Sequence, residues 1–352
     1  MVIDFLIVGQ GISGSFLSWY LKKEGKSVYV IDNNQPNTPS RIAAGIINPV
    51  TGRRLVTVWM ADEVLPFSWK AYSEIGHELE ITAITQNSII DFFPNPFMRE
   101  SFLKRIEESD QYVHAYPEQN HFNPFFNYEF GCGEIRPVYT AHLETLLPAW
   151  REQLKKDSNL LEENFDSHQL RVNDENIIYN DITASKIIFC DGSTGFENPF
   201  FKQLPFAPNK GEALIVEIPG LNPHHVYKKS MTLAPLATKD IFWIGSVYQW
   251  EFASAEPTIA FRKNAEQVLK EWIKVPYKIV EHYAGIRPAT IERRPFVGLH
   301  PVYKNVGILN GMGTKGCSLA PYFAKQLSDH LIYHTDIPPE ADIKRFSRIL
   351  TK

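Results

Sequence analysis

Six residues near the amino terminus, Gly9-Gln10-Gly11-Ile12-Ser13-Gly14, restrict the possible folds more than any other feature of the chain. Before them, Val2–Val8 (VIDFLIV) reads as a short buried strand. After them, Ser13–Glu24 carries Phe16, Leu17, Tyr20 and Leu21 at helical spacing, and Gly25 supplies a stop. Ser27–Ile31 (SVYVI) is a second strand. In such a β-turn-α-β unit the first glycine makes a tight turn and the second lets backbone approach a pyrophosphate. The third lets the helix pack on the strand, and the helix N-terminus attracts phosphate charge. Asp32 closes the second strand about twenty residues on, where a carboxylate can accept hydrogen bonds from ribose hydroxyls. The unit therefore points to a dinucleotide, FAD or NAD. On this reading Asp32→Ala loosens the cofactor and leaves the fold largely intact.

A chain of 352 residues favours two domains. No internal repeat or low-complexity linker separates them, so the second should be woven into the first. The 36 Lys and Arg residues nearly balance 40 Asp and Glu, net −4, which argues against a general polyanion binder. A nucleic-acid partner stays open only through a local basic patch. Cys132, Cys190 and Cys317 lie far apart with no CxxC, so neither a disulfide framework nor a metal site is expected, as suits a reducing cytoplasm. No apolar run reaches membrane-spanning length, and Asp4 breaks the apolar N-terminus, so neither an anchor nor a signal peptide is expected. The oligomeric state has no signature in the sequence.

Further along, Gln35–Gly52 reads as a long functional loop and Val64–Leu79 as a helix. A Pro-interrupted aromatic stretch, Phe92–Phe97, precedes a charged helix to about Glu108. Gly131–Tyr139 is an expected strand, and Thr140–Lys156 a helix with Leu143, Leu146, Leu147, Trp150 and Leu154 on one face. Short strands are expected at Leu160–Phe165, Gln169–Asn173, Asn176–Tyr179 and Lys186–Cys190, then at Gly211–Ile218, Met231–Leu236 and Ile241–Tyr248. A helix over Pro257–Ile273, a strand at Val306–Leu309 and a helix over Ser318–Leu331 complete the pattern.

Several segments, in order, carry a resemblance. Arg41-Ile42-Ala43-Ala44-Gly45-Ile46-Ile47-Asn48-Pro49 is similar to the small-residue flavin loop of the glycine/D-amino-acid oxidase family. Lys186–Gly195 (KIIFCDGSTG) resembles that family's second flavin strand, with Cys190-Asp191-Gly192 departing from its usual Ala-x-Gly. Asn209-Lys210-Gly211-Glu212 resembles the opening of its substrate-domain strand. Ala284–Thr290 (AGIRPAT) with Pro295–Gly298 (PFVG) looks like its GxRPxT…PxxG signature, and Asn310–Gly316 with Leu319-Ala320-Pro321 like its last flavin loop and helix. The resemblance covers almost the whole chain. Its nearest branches are glycine oxidase and the flavin domain of the bifunctional tRNA carboxymethylaminomethyl-uridine-processing enzyme.

The resemblance implies an α/β fold in which a Rossmann-type FAD-binding domain (1–75, 139–205 and 285–352) is interleaved with an antiparallel-sheet α+β substrate domain (76–138 and 206–284). It implies non-covalent FAD and oxidation of an amine next to a carboxylate, on a small-molecule amino acid or N-substituted glycine, by hydride transfer to the flavin. The residues expected around FAD are Gly9, Gly11, Ile12, Ser13, Gly14, Asp32 and Asn33, then Arg41, Ala43, Ala44, Gly45 and Ile46. Phe165, Cys190, Asp191 and Gly192 join them, with Gly311, Met312, Gly313, Thr314, Lys315 and Gly316. Arg287 is the expected carboxylate ligand, since a guanidinium offers a planar, permanently charged fork. Lys315 either holds the polar edge of the flavin or stands solvated at a loop tip. Tyr248 either lines the substrate pocket or fills core, Arg53 and Arg54 read as surface, and the aromatics Phe92, Phe93, Phe122, Phe125 and Phe126 as core or roof. Two alternatives stay open: an enzyme acting on a modified nucleoside in tRNA, and an NAD(P)-dependent dehydrogenase.

Overall fold

The computed structural model describes residues 1–109 and 111–351. The chain opens with β1 (Val2–Val8), α1 (Ile12–Lys23) and β2 (Val28–Ile31), then α2 (Pro39–Ile42) and the two-residue strands β3 (Ile46–Ile47), β4 (Val50–Thr51) and β5 (Val56–Thr57). Helix α3 (Ala61–Glu78) leads to β6 (Ile84–Phe92), α4 (Pro96–Glu108), β7 (Val113–Ala115) and β8 (Cys132–Ala141). After α5 (Leu143–Lys156) come β9 (Leu160–Leu161), β10 (Leu170–Val172), β11 (Ile177–Tyr179) and β12 (Ile182–Phe189). Strands β13 (Asn209–Glu217), β14 (His225–Lys228), β15 (Thr232–Pro235) and β16 (Ile241–Gly245) precede α6 (Ile259–Trp272) and β17 (Lys278–Arg287). The chain closes on β18 (Phe296–Leu299), β19 (Val306–Asn310), α7 (Gly316–Tyr333) and α8 (Ser347–Leu350).

Two sheets organise these elements. The first has eight strands, ordered β10-β11-β12-β1-β2-β9, with β19 beside β12 and β18 beside β19. Its centre is parallel: β1 pairs with β2 and β12, and β12 with β19. The carboxyl ends Val8, Ile31 and Phe189 therefore meet at one edge, where an open α/β sheet binds ligands. Helix α1 packs under that edge with every position from Ile12 to Leu21 buried. A helix enclosed on all sides has no charged face, and here Phe16, Leu17, Trp19 and Leu21 alternate with the small residues Ser13, Gly14, Ser15 and Ser18.

The second sheet has nine strands, ordered β17-β13-β16-β15-β14-β6-β8-β3, with β7 beside β8. It is antiparallel except for the β14–β6 pair. One face packs on α6 through Phe92, Phe126, Leu214, Ile244, Leu269 and Trp272. The other face looks across a cavity toward the first sheet.

The long loop expected at 35–52 is instead a short helix and two small strands. The strand expected to reach Tyr248 ends at Gly245. Residues 46–47, 139–141 and 285–287, placed by the sequence with the first sheet, hydrogen-bond into the second, because β8 and β17 each continue unbroken past the expected limit. No helix among the described residues is long and apolar enough to cross a membrane.

Candidate active site

A cavity of about 780 Å³ lies between the sheets. At one end the loops that follow the parallel strands converge. Gly9 has φ +98°, and a Cβ there would come within 2.5 Å of the Cys190 carbonyl oxygen. A Cβ on Gly14 would come within 1.9 Å of the Gly9 carbonyl, so α1 can sit this close only on glycine. Gly11, Ile12 and Ser13 line the cavity at the α1 N-terminus, as do Asp32, Asn33, Ala43, Ala44, Gly45, Ile46 and Phe165. Cys190, Asp191, Gly192, Met312, Gly313, Thr314, Lys315 and Gly316 complete this wall. Three expected residues do not line it. Gly14 faces the β1 loop, Gly311 makes a turn (φ +78°) packed on Thr290 and Phe296, and Arg41 lies half-buried at the side near Asp32 and Arg151.

Asp32 is more heavily engaged than its sequence position suggests. Its Oδ2 accepts from the Gln10 backbone N–H (2.8 Å), and Oδ1 accepts from the Asn34 N–H (2.8 Å) and Arg151 Nη1 (2.6 Å). Arg151 is 3% exposed and also donates to Glu162 (2.9 Å). The expectation that Asp32→Ala spares the fold is therefore corrected: the carboxylate neutralises a buried guanidinium that the sequence did not reveal. Asp191 is likewise held, by Asn198 and Asn310 (both 2.9 Å). Burial pushes its carboxyl up to about 6.

Arg287, the last residue of β17, enters the other end of the cavity. Its Nη1 donates to Asn209 Oδ1 (2.8 Å) and to the Val247 carbonyl (3.1 Å), and Nη2 donates to Ser246 Oγ. The Tyr248 ring stacks 5.0 Å from its Cζ. Every one of these partners is neutral, and no carboxylate lies within ion-pairing distance among the described residues. Burial accordingly pulls the guanidinium below its ordinary pKa. The side chain lies flat over Gly211, where a Cβ would stand 1.9 Å from Nη2. Asn209, Gly211 and Ser246 thus aim the fork. The Asn209–Glu212 segment was visible in the sequence, but the reason for its glycine was not.

Lys315 is half-buried at the cavity wall rather than solvated at a loop tip: Nζ donates to Asn48 Oδ1 (2.9 Å), and burial pulls its pKa down to about 8. Tyr248 is not core; it stands 61% exposed at the cavity mouth. Arg53 and Arg54 are exposed on the β4–β5 turn. Phe92, Phe122 and Phe126 are core on the α6 side, with Phe125 packed against them, and Phe93 is core beside Phe102; none roofs the cavity. Cys317 borders the cavity unpaired.

The sequence model of the family described as FAD dependent oxidoreductase, DAO, matches residues 4–330. The chain belongs to that family. Membership settles the cofactor in favour of FAD and sets the nicotinamide alternative aside. Among solved structures, iminodiacetate oxidase from Chelativorans sp. BNC1 is 19% identical with TM-score 0.75, covering 98% of each chain. Glycine oxidase from Geobacillus kaustophilus is 16% identical with TM-score 0.77, again over 98% of each chain. Likeness at these identities shows the fold. The uncharacterized oxidoreductase YurR of Bacillus subtilis (strain 168) is 33% identical over 77 residues, spanning 22% of this chain but 20% of that protein. The residues present fit FAD at the glycine cradle: Gly9, Gly45 and Gly313 hold positive φ, and Gly11 lines the cavity at the α1 N-terminus.

One prediction follows from the fork's support. Gly211→Ala should displace Arg287 and lower kcat/KM for carboxylate-bearing amines by about tenfold or more, the loss of a charged hydrogen bond of about 1.5–3 kcal/mol. FAD content, read from the absorbance ratio of the purified protein, should stay at the wild-type level.

Proposed function

We propose that this oxidoreductase oxidises an amine next to a carboxylate, on an amino acid or an N-substituted glycine. The observation that carries the reading is the half-buried Arg287 fork, which has only neutral partners and faces the cavity. A buried cation without a counter-ion is costly, and an arriving carboxylate removes that cost while accepting two parallel hydrogen bonds. FAD held at the glycine cradle would supply the two-electron acceptor for hydride leaving the substrate α-carbon C–H. Arg287 orients that C–H by holding the carboxylate, and Asn209 and Ser246 hold Arg287. Tyr248 covers the guanidinium from the mouth. Lys315 adds a second cation on the cofactor side. No side-chain base is required when the amine binds neutral. The N–CH2–COO− unit of an N-substituted glycine also occurs in the carboxymethylaminomethyl group of a modified nucleoside, and the proposal is confined to the amine and its neighbouring carboxylate.

We also propose that FAD is held without a covalent bond, and that the two sheets mark two domains with the limits expected from sequence, save at 46–47, 139–141 and 285–287. Three unpaired cysteines support work in a reducing cytoplasm.

Product analysis tests the reaction. With N-methylglycine and its longer N-alkyl homologues, glyoxylate should accumulate in step with substrate loss. Formaldehyde and glycine as products of N-methylglycine would put the oxidised carbon on the wrong side of nitrogen and contradict the reading.

Lys315 adds a pH dependence. Its pKa is depressed, so the ammonium is present below about 8 and lost above it. Carboxylate affinity should be level below that value and fall severalfold as pH rises through it. Lys315→Met should flatten the profile, as measured by ligand-induced change in flavin absorbance.

A further inference from the structure

We propose that the cavity holds a second anion subsite, built by Lys228 and Thr232, so that the molecule it selects carries an acidic group beyond the one at Arg287. The inference rests on the carboxylate reading of Arg287 and deepens it.

The subsite follows from strand register. Ala213, Gly245, Thr232, Lys228 and Asp91 lie side by side on β13, β16, β15, β14 and β6. Residues paired across a sheet share a face. Ile89, two residues before Asp91 on the same face, lines the cavity, as do Gly245, Thr232 and Lys228. The row therefore looks into the cavity rather than toward α6. Between the Arg287 fork, which lies over Gly211 on β13, and Lys228 on β14, the floor is formed by Ala213, Gly245 and Thr232, with the end of the Trp243 indole lying over Gly245. Three strand spacings of about 4.8 Å separate those strands, roughly 14 Å between backbones. A ligand that reaches both groups must pass along the Trp243 indole and be longer than glycine.

Lys228 has donors to spare. Its Nζ donates to Asp91 Oδ2 (2.6 Å) and to nothing else among the described residues, and its side chain is 34% exposed. An ammonium has three donors, so two remain. Thr232 lines the cavity, and its Oγ1 makes no hydrogen bond among the described residues. Asp91 is 6% exposed and shares its face with Ile89 and Phe93. A buried ion pair is a poor stabiliser compared with apolar side chains of the same volume. Here it fixes an ammonium at the cavity wall. Because Asp91 already offsets much of the charge, the gain from a second anion is modest.

The test uses the FAD-loaded protein and straight-chain dicarboxylates of three to eight carbons, each compared with the monocarboxylate of equal length. Binding is read from the shift in flavin absorbance. At one length, or two adjacent lengths, the dicarboxylate should bind about tenfold tighter, the worth of one charged hydrogen bond. Lys228→Gln alone leaves Asp91 buried without a partner, so the variant of choice is Asp91→Asn/Lys228→Gln. In it the dicarboxylate-to-monocarboxylate ratio should fall to within about twofold, and Thr232→Val should lower the ratio by a smaller factor. Absence of any length preference, or an unchanged ratio in the double variant, would overturn the subsite. Monocarboxylate binding that disappears in Arg287→Ala would leave the first reading standing in that case. Failure of every carboxylate to bind would remove the first reading and the second with it.

Discussion

Replacing Arg287 by alanine should slow anaerobic flavin reduction by carboxylate-bearing amines from tens-fold to thousands-fold. Truncating one partner of a buried, hydrogen-bonded charge pair costs about 2–5 kcal/mol, which sets that range. Arg287→Lys keeps a cation but loses the fork, together with its bonds to Asn209 and Ser246, and should fall between the two. Stability should change little. In the free protein the half-buried guanidinium has only neutral partners, and the cost of leaving Asn209 without its donor offsets the removal of an unpaired cation, so melting should stay near the wild-type temperature. A purely structural arginine gives the reverse pattern, lower melting with reduction rates unchanged. Rapid-mixing kinetics and thermal melts on the same samples separate the two.

The second large effect lies at the cofactor end. Asp32→Ala should destabilise the fold by about 3 kcal/mol, the lower end of the cost of orphaning a buried charge, because Glu162 remains beside Arg151. It should also weaken FAD retention. The double variant Asp32→Ala/Arg151→Met divides these roles. Removing the orphaned cation should restore most of the melting temperature, whereas FAD should remain weakly held. If the double variant melts as low as the single, the ion pair is not the source of the loss.

Much of the fold could be read locally. The first β-turn-α-β unit declares itself because its constraints are short-range: three glycines, a buried strand on each side, and a helix ending at Gly25. Helix α5 was equally plain from five apolar residues on one face, all of them buried. Strand β6 was missed because Gln86-Asn87-Ser88 interrupts its apolar pattern. Asn87 and Ser88 find their partners at Pro223 and His225, more than 130 residues away. The same distance problem hid the site's supports. Arg151 looks like a solvated basic residue in its own helix, and only the fold brings it 119 positions back to Asp32. Gly211 was conspicuous as part of a motif, yet its purpose appears only with the Arg287 guanidinium laid over it. Lys315 showed the limit from the other side, since a lysine in a glycine loop carries no local sign of being held at a cavity wall by Asn48.

The central claim is that this DAO-family protein draws electrons from an amine whose neighbouring carboxylate is held by Arg287. It is tested most directly by watching the visible flavin absorbance under anaerobic conditions as amines are added in matched pairs. Each amino acid or N-substituted glycine is compared with the same amine lacking its carboxylate. The account predicts bleaching by the carboxylate-bearing member of at least one pair, with its partner slower by roughly tens-fold or more. Equal bleaching by both members of each reactive pair would contradict it.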